Sequence, residues 1–466
     1  MSVAVSSAQL PDAIATQHQV ERAQQAQARL TGPLFPLNSK KATSQWWSSL
    51  SPEAAERNVL NLIPYIEEDT GVATSLHRTK KPDPYGARVW RQSMVQLSGK
   101  NRGLNELSIT RLGEEVEQTV VMVHGYGAGL GFFYKNFEPM SRTRGRKLYA
   151  LDMLGMGNSK RPSFKIRATQ KEEQTIEAEN WFIDALEEWR IARNIKSFVL
   201  LGHSLGGYLS VSYALKYPGH VKKLILVSPA GISEDPYAIN TSQSTTGSTV
   251  DQVSIHDQQM SDTSSNGTDH TEGSAQLKPL PGWLVCLWNA NISPFSFIRM
   301  TGPLGPKLVS GWTHRRFNHL PSEDFQILHD YSFSIFRQKG SGEYALPYIL
   351  APGAHARRPI IRRIQEVGRQ PVYTDSDKRI NETGIPIVFM YGDNDWMDVD
   401  GGQAAVEKVN HFRLEALRHG TNGLQKNYCG EAKLIIIPDA GHNLYLDNHE
   451  EFNRVICKEL EEIKAL

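Results

Sequence analysis

The sequence predicts an α/β protein with a mostly parallel sheet, helices on both faces, and a helical cap inserted after the sixth strand. Three observations predict this class. Apolar runs typical of buried strands alternate with helix-forming segments through the first half of the chain. The alternation then stops over a long, compositionally different stretch, and two further apolar runs follow it near the end. A chain of 466 residues suits one large domain with an insertion.

The predicted strands and helices follow in order along the first half. Two alternating runs between about Arg88 and Leu112 flank the turn sequence SGKNRG, which predicts an antiparallel hairpin. Next come the strand QTVVMVHG, the Gly-rich turn YGAGLG and the strand KLYALD. A helix over EEQTIEAENWFIDALEEWRIARN then leads to the strand SFVLLG, the helix GYLSVSYALKYP and the strand KLILVSP. Helices between successive strands favour parallel neighbours.

Composition divides the remaining chain into segments. Residues 1–45 are Ala/Gln-rich without a signal-peptide apolar stretch, so we expect a disordered or targeting N-terminus. Residues 238–278 are Ser/Thr-rich and lack aromatic residues, which predicts a disordered insertion because little apolar surface offsets the ordering entropy. Residues 279–370 are aromatic and basic and predict the helical cap. The first part of the α/β core is then 46–237, and the second part is 371–466.

Charge and cysteine usage exclude several function classes. Lys plus Arg number 51 and Asp plus Glu number 50, so no global field favours nucleic acid as a partner. Cys286, Cys429 and Cys457 are far apart in the sequence, which predicts neither a disulfide framework nor a zinc site. We expect no cofactor and no metal. No apolar run approaches the roughly 20 residues that span a bilayer, so we expect a soluble or peripherally bound protein.

The stretch GHSLG, from Gly202 to Gly206, carries the strongest chemical signal. An apolar strand precedes it and a helix follows it, which is the context of a nucleophile elbow. The glycines permit a strained turn that lifts Ser204 above the sheet edge, and the helix start directs its amides at the same place. We therefore predict that Ser204 is a nucleophile.

A serine nucleophile requires a base and an acid that orients the base. His442 follows the predicted strand KLIIIP and is the candidate base. The acid is expected after the strand IPIVFMYG, where the frequent G-x-x-D spacing selects Asp395. Asp398 is a rival, because spacing alone does not give the direction of a side chain. Both acids remain open on sequence grounds.

An acyl intermediate also requires amide donors for its oxyanion, worth about 2.7–4 kcal/mol each. The first candidate is the amide of Leu205 at the helix start, and the second is the amide of Tyr126 in the turn HGYGAG. His124 is expected to anchor that turn. The HxxxxD spacing of His442 and Asp447 suggests an acyltransferase when taken alone. Since Glu450 follows three residues later, we instead predict that Asp447 is a helix N-cap with a capping-box partner.

The motifs HGYGAG, DMLGMGNS, GHSLGG and GHNLYLD resemble those of the α/β-hydrolase superfamily. The resemblance is closer to the HxxxxD subfamily of phospholipid-acting proteins, through these motifs and the cap sequences TGPLGPKLVSGWTHRRF and LAPGAHARRP. It covers roughly residues 45–237 and 279–466, and the stretch YGDNDWMD is most similar to fungal cardiolipin-specific deacylases. Some members of this subfamily have the acid of the triad at the position of Asp398, so the resemblance also leaves both Asp395 and Asp398 as candidates.

This resemblance implies an α/β-hydrolase fold and a serine acylhydrolase that removes a fatty acyl chain from a cardiolipin-like membrane phospholipid. One branch of the family, a lipase co-activator, lacks the serine, whereas Ser204 is present here. An acyl-CoA-dependent lysophospholipid acyltransferase and a non-catalytic lipid-bound lipase regulator are the alternatives, and small-molecule hydrolases share the fold. The deacylase resemblance alone implies a mitochondrial, inner-membrane-associated location, with cytosol or lipid droplet as alternatives.

Three groups of residues are candidates for contact with a phospholipid or a peripheral membrane surface. For the aromatic cap residues there are three alternatives: they line an acyl channel, they enter the membrane interface, or they form the core of the cap itself. Trp46 and Trp47 are either an interfacial anchor or a packed helix start. The arginines after LAPGAHA bind phosphate or form a solvated helix face. The cap residues are Trp283, Trp288, Phe295, Phe297, Ile298 and Trp312; the candidate phosphate-binding residues are Arg357 and Arg358, with Arg362 and Arg363 beside them.

Overall fold

The computed structural model describes residues 35–48, 50–69, 82–234, 282–373, 379–419 and 430–463. The predicted disordered insertion at 238–278 and most of the predicted N-terminal segment lie outside the described residues. Cys429 and the side chain of Trp283 also lie outside them.

Within the described ranges, nine strands form one sheet in the order β1-β2-β3-β5-β4-β6-β7-β10-β11. Only the β2–β3 and β3–β5 pairs are antiparallel, and the other neighbours in this sheet are parallel. This confirms the predicted mostly parallel sheet. The strands are β1 (Glu67–Glu68), β2 (Arg88–Gln96), β3 (Gly103–Arg111), β4 (Gln118–Val123), β5 (Arg146–Leu151), β6 (Phe198–His203), β7 (Val221–Val227), β10 (Ile387–Gly392) and β11 (Ala432–Ile437), while β8 (Pro371–Tyr373) and β9 (Arg379–Asn381) form a separate antiparallel pair.

The α-helices of the described chain belong to the core, the cap and the two ends. Those outside the cap are α1 (Ser39–Trp47), α2 (Pro52–Leu60), α3 (Tyr134–Met140), α4 (Lys171–Ala192), α5 (Leu205–Lys216), α11 (Val399–His419), α12 (Leu444–Asp447) and α13 (His449–Glu462). The cap contains α6 (Gly282–Asn289), α7 (Pro294–Met300), α8 (Gly305–Phe317), α9 (Ser322–Phe336) and α10 (Leu346–Ile349). No helix among the described ranges has the length and apolar character needed to cross a membrane.

Two details of the strand count differ from the sequence prediction. The cap follows the seventh strand, because β1 pairs with β2 ahead of the predicted hairpin. A two-residue strand of Glu67 and Glu68 has no apolar alternation by which it could be recognised. The strands β8 and β9, between the cap and β10, have only three residues each and were not predicted.

Each face of the sheet supports a separate apolar core. Val121 packs with α4 on one face, whereas Val120 and Met122 pack with the Phe132–Phe133 turn and the cap on the other. Successive strand residues point to opposite faces, so a strand that is covered on both sides is apolar at every position. This explains why the strands appear in the sequence as unbroken apolar runs.

The helices α7, α8 and α9 of the cap lie on the face that carries Phe132, whereas α10 packs into the core of the other face. Phe336 is the centre of an aromatic group in which the ring centroid of Phe295 is 4.6 Å away and that of Trp312 is 4.9 Å away. These rings form part of the core between the cap and the sheet. Phe297, in contrast, is 50% exposed, and Met300 is 82% exposed. The aromatic residues of the cap therefore divide between its core and its surface.

Candidate active site

Ser204 occupies a strained turn between β6 and α5. Its φ of 53° and ψ of −117° are rarely adopted by a residue with a side chain. The neighbouring glycines are required by close packing: a Cβ on Gly202 would lie 2.4 Å from the carbonyl oxygen of Gly206, and one on Gly206 would lie 2.5 Å from that of His124. The helix α5 begins at Leu205, directly after the serine. The structure thus places Ser204 on a nucleophile elbow.

The structure brings His442 and Asp395 together. His442 Nδ1 lies 3.3 Å from Asp395 Oδ1, and the carboxylate is fully buried. The amide of Met397 donates to the same oxygen at 3.1 Å. Burial by itself would raise the pKa of Asp395, but the hydrogen bonds from His442, Ser228 and Met397 hold that pKa below its usual value. Asp395 is therefore a carboxylate suited to orient the imidazole.

Asp398 has a different environment. Its Oδ1 accepts a hydrogen bond of 2.7 Å from the amide of Gly401 in the first turn of α11, as a helix N-cap does. Its Oδ2 accepts the hydroxyl proton of Ser233. Of the two candidate acids, only Asp395 contacts His442 in the described structure. The geometry favours Asp395, and its catalytic role remains a prediction to be tested by mutation.

A second serine contacts the same histidine and was not singled out from the sequence. Ser228 directly follows β7, and its Oγ lies 2.7 Å from His442 Nδ1. The same hydroxyl donates to Asp395 Oδ2. The only available sequence signal was its position at the carboxyl end of a buried strand, in KLILVSP, which is where parallel strands deliver site residues.

His203 supports His442 from the other side. Its Nε2 lies 3.0 Å from the backbone carbonyl oxygen of His442 and donates to it, and the two ring centroids are 4.8 Å apart. Burial lowers the pKa of His203 well below its usual value, and neighbouring His442 lowers it further. His203 is therefore a neutral donor that fixes the backbone of the base.

The candidate base and the candidate nucleophile are not hydrogen-bonded to each other in the described part of the chain. The Ser204 hydroxyl makes no hydrogen bond to any residue in the described ranges, although its neighbour His203 contacts His442. Catalytic hydrogen bonds commonly tighten only when substrate is bound. Proton transfer from Ser204 therefore requires the Ser204 hydroxyl and the His442 ring to come within hydrogen-bond distance.

The turn after β4 lies against the nucleophile. A Cβ on Gly125 would be 2.9 Å from Ser204 Cβ, so this close approach requires glycine. His124 Nδ1 donates to the carbonyl oxygen of Gly125 at 2.7 Å, while Nε2 accepts from the amide of Met153 at 3.1 Å. His124 thus anchors the turn, as expected from the sequence. The turn carries Tyr126, whose amide and that of Leu205 remain the predicted oxyanion donors.

The loops that carry the acid and the base are joined by Asp393. Its two carboxylate oxygens accept from the amides of Asp439 at 2.9 Å and Ala440 at 3.0 Å. These residues follow β11 and lead into His442, whereas Asp393 follows β10 and precedes Asp395. We call this contact the Asp393 latch. It couples the positions of the two loops.

The predicted N-cap at Asp447 is wrong by one residue. The helix α13 begins at His449, and its N-cap is Asn448, whose side chain accepts from the amide of Glu451 at 3.2 Å. Asp447 instead ends α12, and its Oδ2 accepts from the amide of Gly441 at 3.0 Å. Asp447 therefore supports the backbone directly before His442.

Comparison with known proteins identifies the family. The sequence model of the alpha/beta hydrolase fold matches residues 118–302. A 1-acylglycerol-3-phosphate O-acyltransferase of Arabidopsis thaliana is 33% identical over 413 residues, which cover 86% of this chain and 78% of that protein. This chain belongs to the α/β-hydrolase family. The 1-acylglycerol-3-phosphate O-acyltransferase ABHD5 of Mus musculus is 30% identical, with 79% of this chain and 84% of that protein covered.

Two further similarities are to a yeast protein and a solved structure. Protein ECM18 of Saccharomyces cerevisiae is 29% identical over 401 residues, covering 79% of this chain and 78% of that protein. An esterase of Exiguobacterium antarcticum aligns with a TM-score of 0.47 and 15% identity, over 79% of this chain and 99% of that chain.

The two arginines predicted to bind phosphate already have protein partners in this α/β hydrolase. Arg358 Nη1 lies 2.7 Å from Glu179 Oε2, and Arg363 Nη2 lies 2.8 Å from Oε1 of the same buried carboxylate. Arg357 Nε donates to the carbonyl oxygen of Pro347 at 2.6 Å. Phosphate binding by Arg357 and Arg358 stays a prediction. A bound phosphate would have to compete with the carboxylate of Glu179 for the guanidinium of Arg358.

Aromatic side chains surround the site of this α/β hydrolase. The ring centroid of Trp396 lies 5.1 Å from that of His442, and Trp396 is 42% exposed. From the cap, Phe295 stacks on Tyr126 with centroids 5.2 Å apart. The candidate catalytic residues are therefore flanked by apolar rings on the loop after β10 and on the cap.

Proposed function

We propose that this α/β hydrolase is a serine acylhydrolase that removes a fatty acyl chain from a cardiolipin-like membrane phospholipid through an acyl-enzyme on Ser204. The observation that carries the proposal is the contact of His442 with buried Asp395 beside the strained turn of Ser204. A nucleophile, a base and an orienting acid at the carboxyl ends of strands in one sheet meet the requirements for acyl transfer.

In the proposed reaction each group has a role. Ser204 Oγ attacks the ester carbonyl carbon while His442 Nε2 takes its proton, and the amides of Tyr126 and Leu205 stabilise the oxyanion. The C–O bond to the glycerol breaks, and His442 gives its proton to the departing lysophospholipid oxygen. Water then attacks the acyl-enzyme with His442 again as base, which releases the fatty acid and restores Ser204.

Two features support a lipid substrate. The relatives in Arabidopsis thaliana and Mus musculus are named for acyl transfer to 1-acylglycerol-3-phosphate, which is a lysophospholipid. The flanking rings of Trp396 and Phe295 offer apolar contact for a fatty acyl chain.

The names of these relatives also favour a second candidate, an acyl-CoA-dependent lysophospholipid acyltransferase. In this reaction Ser204 attacks the thioester, the C–S bond breaks, and the CoA thiol leaves with the proton that His442 took from Ser204. A lysophospholipid hydroxyl then replaces water as the acceptor. His442 removes the proton of that hydroxyl. The same residues serve both reactions, so the acceptor distinguishes them.

The test supplies purified protein with liposomes of mixed phospholipids that include cardiolipin, with and without acyl-CoA and lysophospholipid. We expect fatty acid release from the liposomes by the wild type and a loss of at least about 10³-fold in Ser204→Ala. Ser210→Ala is the matched control, because Ser210 lies on the same helix and its hydroxyl bonds only to the Gly206 carbonyl.

Two results would contradict the proposal. Fatty acid release that persists in Ser204→Ala excludes the acyl-enzyme. Phospholipid formation that depends strictly on acyl-CoA, without net hydrolysis, replaces the acylhydrolase with the acyltransferase.

A further inference from the structure

Ser228 lies at the centre of the strands that deliver the catalytic groups. In the sheet, β7 lies between β6, which leads to Ser204, and β10, which leads to Asp395. The amide of Ser204 donates to the carbonyl oxygen of Val227 at 2.9 Å, and the amide of Ser228 donates to that of Met390 at 2.7 Å. The backbone of Ser228 is therefore fixed by both neighbouring strands.

The conformation of Ser228 is unusual for a residue with a side chain. Its φ is 47°, in the region that favours glycine, and Pro229 follows it. The residue is completely buried, so its hydroxyl requires protein partners. It finds them in the two residues that form the base and the acid.

The hydroxyl mediates between these two residues. Ser228 Oγ donates its one proton to Asp395 Oδ2. It then has only lone pairs to offer to His442 Nδ1, which lies 2.7 Å away. This contact is shorter than the 3.3 Å between Nδ1 and Asp395 Oδ1. The proton on Nδ1 is thus shared between the hydroxyl and the carboxylate.

We propose that Ser228 is a positioning residue of the catalytic site, which holds His442 in the tautomer protonated on Nδ1 and links it to Asp395. The Nε2 atom is then left unprotonated and able to accept the proton of Ser204. The inference rests on the serine-nucleophile part of the proposed function and is independent of the identity of the lipid.

The test uses three variants with different local effects. Ser228→Ala removes the hydroxyl and keeps the strain at positive φ, whereas Ser228→Gly removes both. Ser228→Thr keeps a hydroxyl. Ser233→Ala is the matched control, because its hydroxyl donates to the rival acid Asp398 in the same way that Ser228 donates to Asp395.

The first readout is the second-order rate at which a fluorophosphonate probe labels Ser204 in the full-length protein. This reaction needs the activated nucleophile but not a lipid substrate. We expect labelling about 10- to 100-fold slower in Ser228→Ala and in Ser228→Gly, partial recovery in Ser228→Thr, and the wild-type rate in Ser233→Ala. Thermal unfolding confirms that each variant is folded.

The second readout is turnover of whichever ester substrate the wild type accepts. Because Ser228 is buried beneath His442, we expect kcat to fall with KM unchanged. The proposal would be overturned if folded Ser228→Ala or Ser228→Gly had the labelling rate and the kcat of the wild type. It would also be overturned if the probe did not label Ser204 in the wild type. A wild type that is labelled but releases no fatty acid from phospholipid contradicts only the proposed lipid substrate.

Discussion

Asp395 and Asp398 are three positions apart, yet their carboxylates have different partners in the structure. Asp395 lies in the loop after β10, with its carboxylate buried against His442. Asp398 directly precedes α11 and is engaged by the amide of Gly401. A carboxylate that satisfies a helix start is stabilised by the helix dipole but is not free to orient an imidazole.

This contrast gives a prediction at the scale of single residues. Asp395→Asn should lower kcat by about 10³- to 10⁴-fold, because an amide favours the wrong tautomer of His442. Asp398→Asn should leave turnover and stability nearly unchanged, because asparagine is an equally good N-cap. Steady-state turnover and thermal unfolding of the two variants measure these effects. Normal turnover by Asp395→Asn would remove it from the catalytic site.

The sequence located Ser204 and His442 because each follows an apolar strand, and the structure places both at those strand ends. It did not separate Asp395 from Asp398, because spacing does not give side-chain direction. It missed Ser228, because the contact depends on the neighbouring positions of β7, β10 and β11 in the sheet. Such long-range neighbours are a property of the topology and leave no local pattern.

At the scale of elements, the turn after β4 and the elbow after β6 fit together through glycine. The Cβ atom of Ser204 is held by backbone and has no freedom to move away from a new methyl group on Gly125. The fit therefore determines the distance between the oxyanion donors and the nucleophile.

We expect Gly125→Ala to reduce kcat by at least about 10-fold, since a shifted turn weakens oxyanion stabilisation. Gly113→Ala is the control. Its φ of 74° makes alanine strained there, but a Cβ meets no atom within 4 Å. Gly113→Ala should lose stability and keep its turnover. Equal turnover by Gly125→Ala and wild type, measured with a soluble ester, would show that the turn tolerates the displacement.

At the scale of the whole molecule, buried polar contacts join the N-terminal helices, the cap and the core. Tyr331 of α9 donates to Glu56 of α2 at 2.9 Å, and Asn105 of β3 donates to the same carboxyl group at 2.7 Å. Burial and the neighbouring carboxylate of Asp152 raise the pKa of Glu56 well above its usual value. The cap is therefore attached by a specific network as well as by apolar packing.

His329 makes a similar connection and gives a pH prediction. It contacts Thr313 of α8 at 3.0 Å and Gln45 of α1 at 3.1 Å. Burial lowers its pKa from about 6.5 to about 4. Below pH 6.5 the unfolded chain binds a proton that the native state does not, so stability present above that pH is lost as the pH falls towards 4.

The loss from His329 should reach about 3 kcal/mol, on the scale of about 1.4 kcal/mol per pKa unit. Urea unfolding between pH 7 and pH 4 measures it, with His329→Gln as the comparison. The variant should lose less stability than the wild type over this range. Identical pH dependence of the two proteins would show that His329 is protonated without cost in the native state.

The Asp393 latch has a consequence for how the site can adjust. The latch holds the loop of His442 against the loop of Asp395, and β10 pairs in turn with β7, whose end leads to Ser228. Since Ser228 contacts both His442 and Asp395, a change in the pairing of β7 with β10 would disturb the base and the acid together. The cap lies between β7 and β10 in the order of the chain, so the strands on either side of it are the ones that lead to Ser228 and to Asp395.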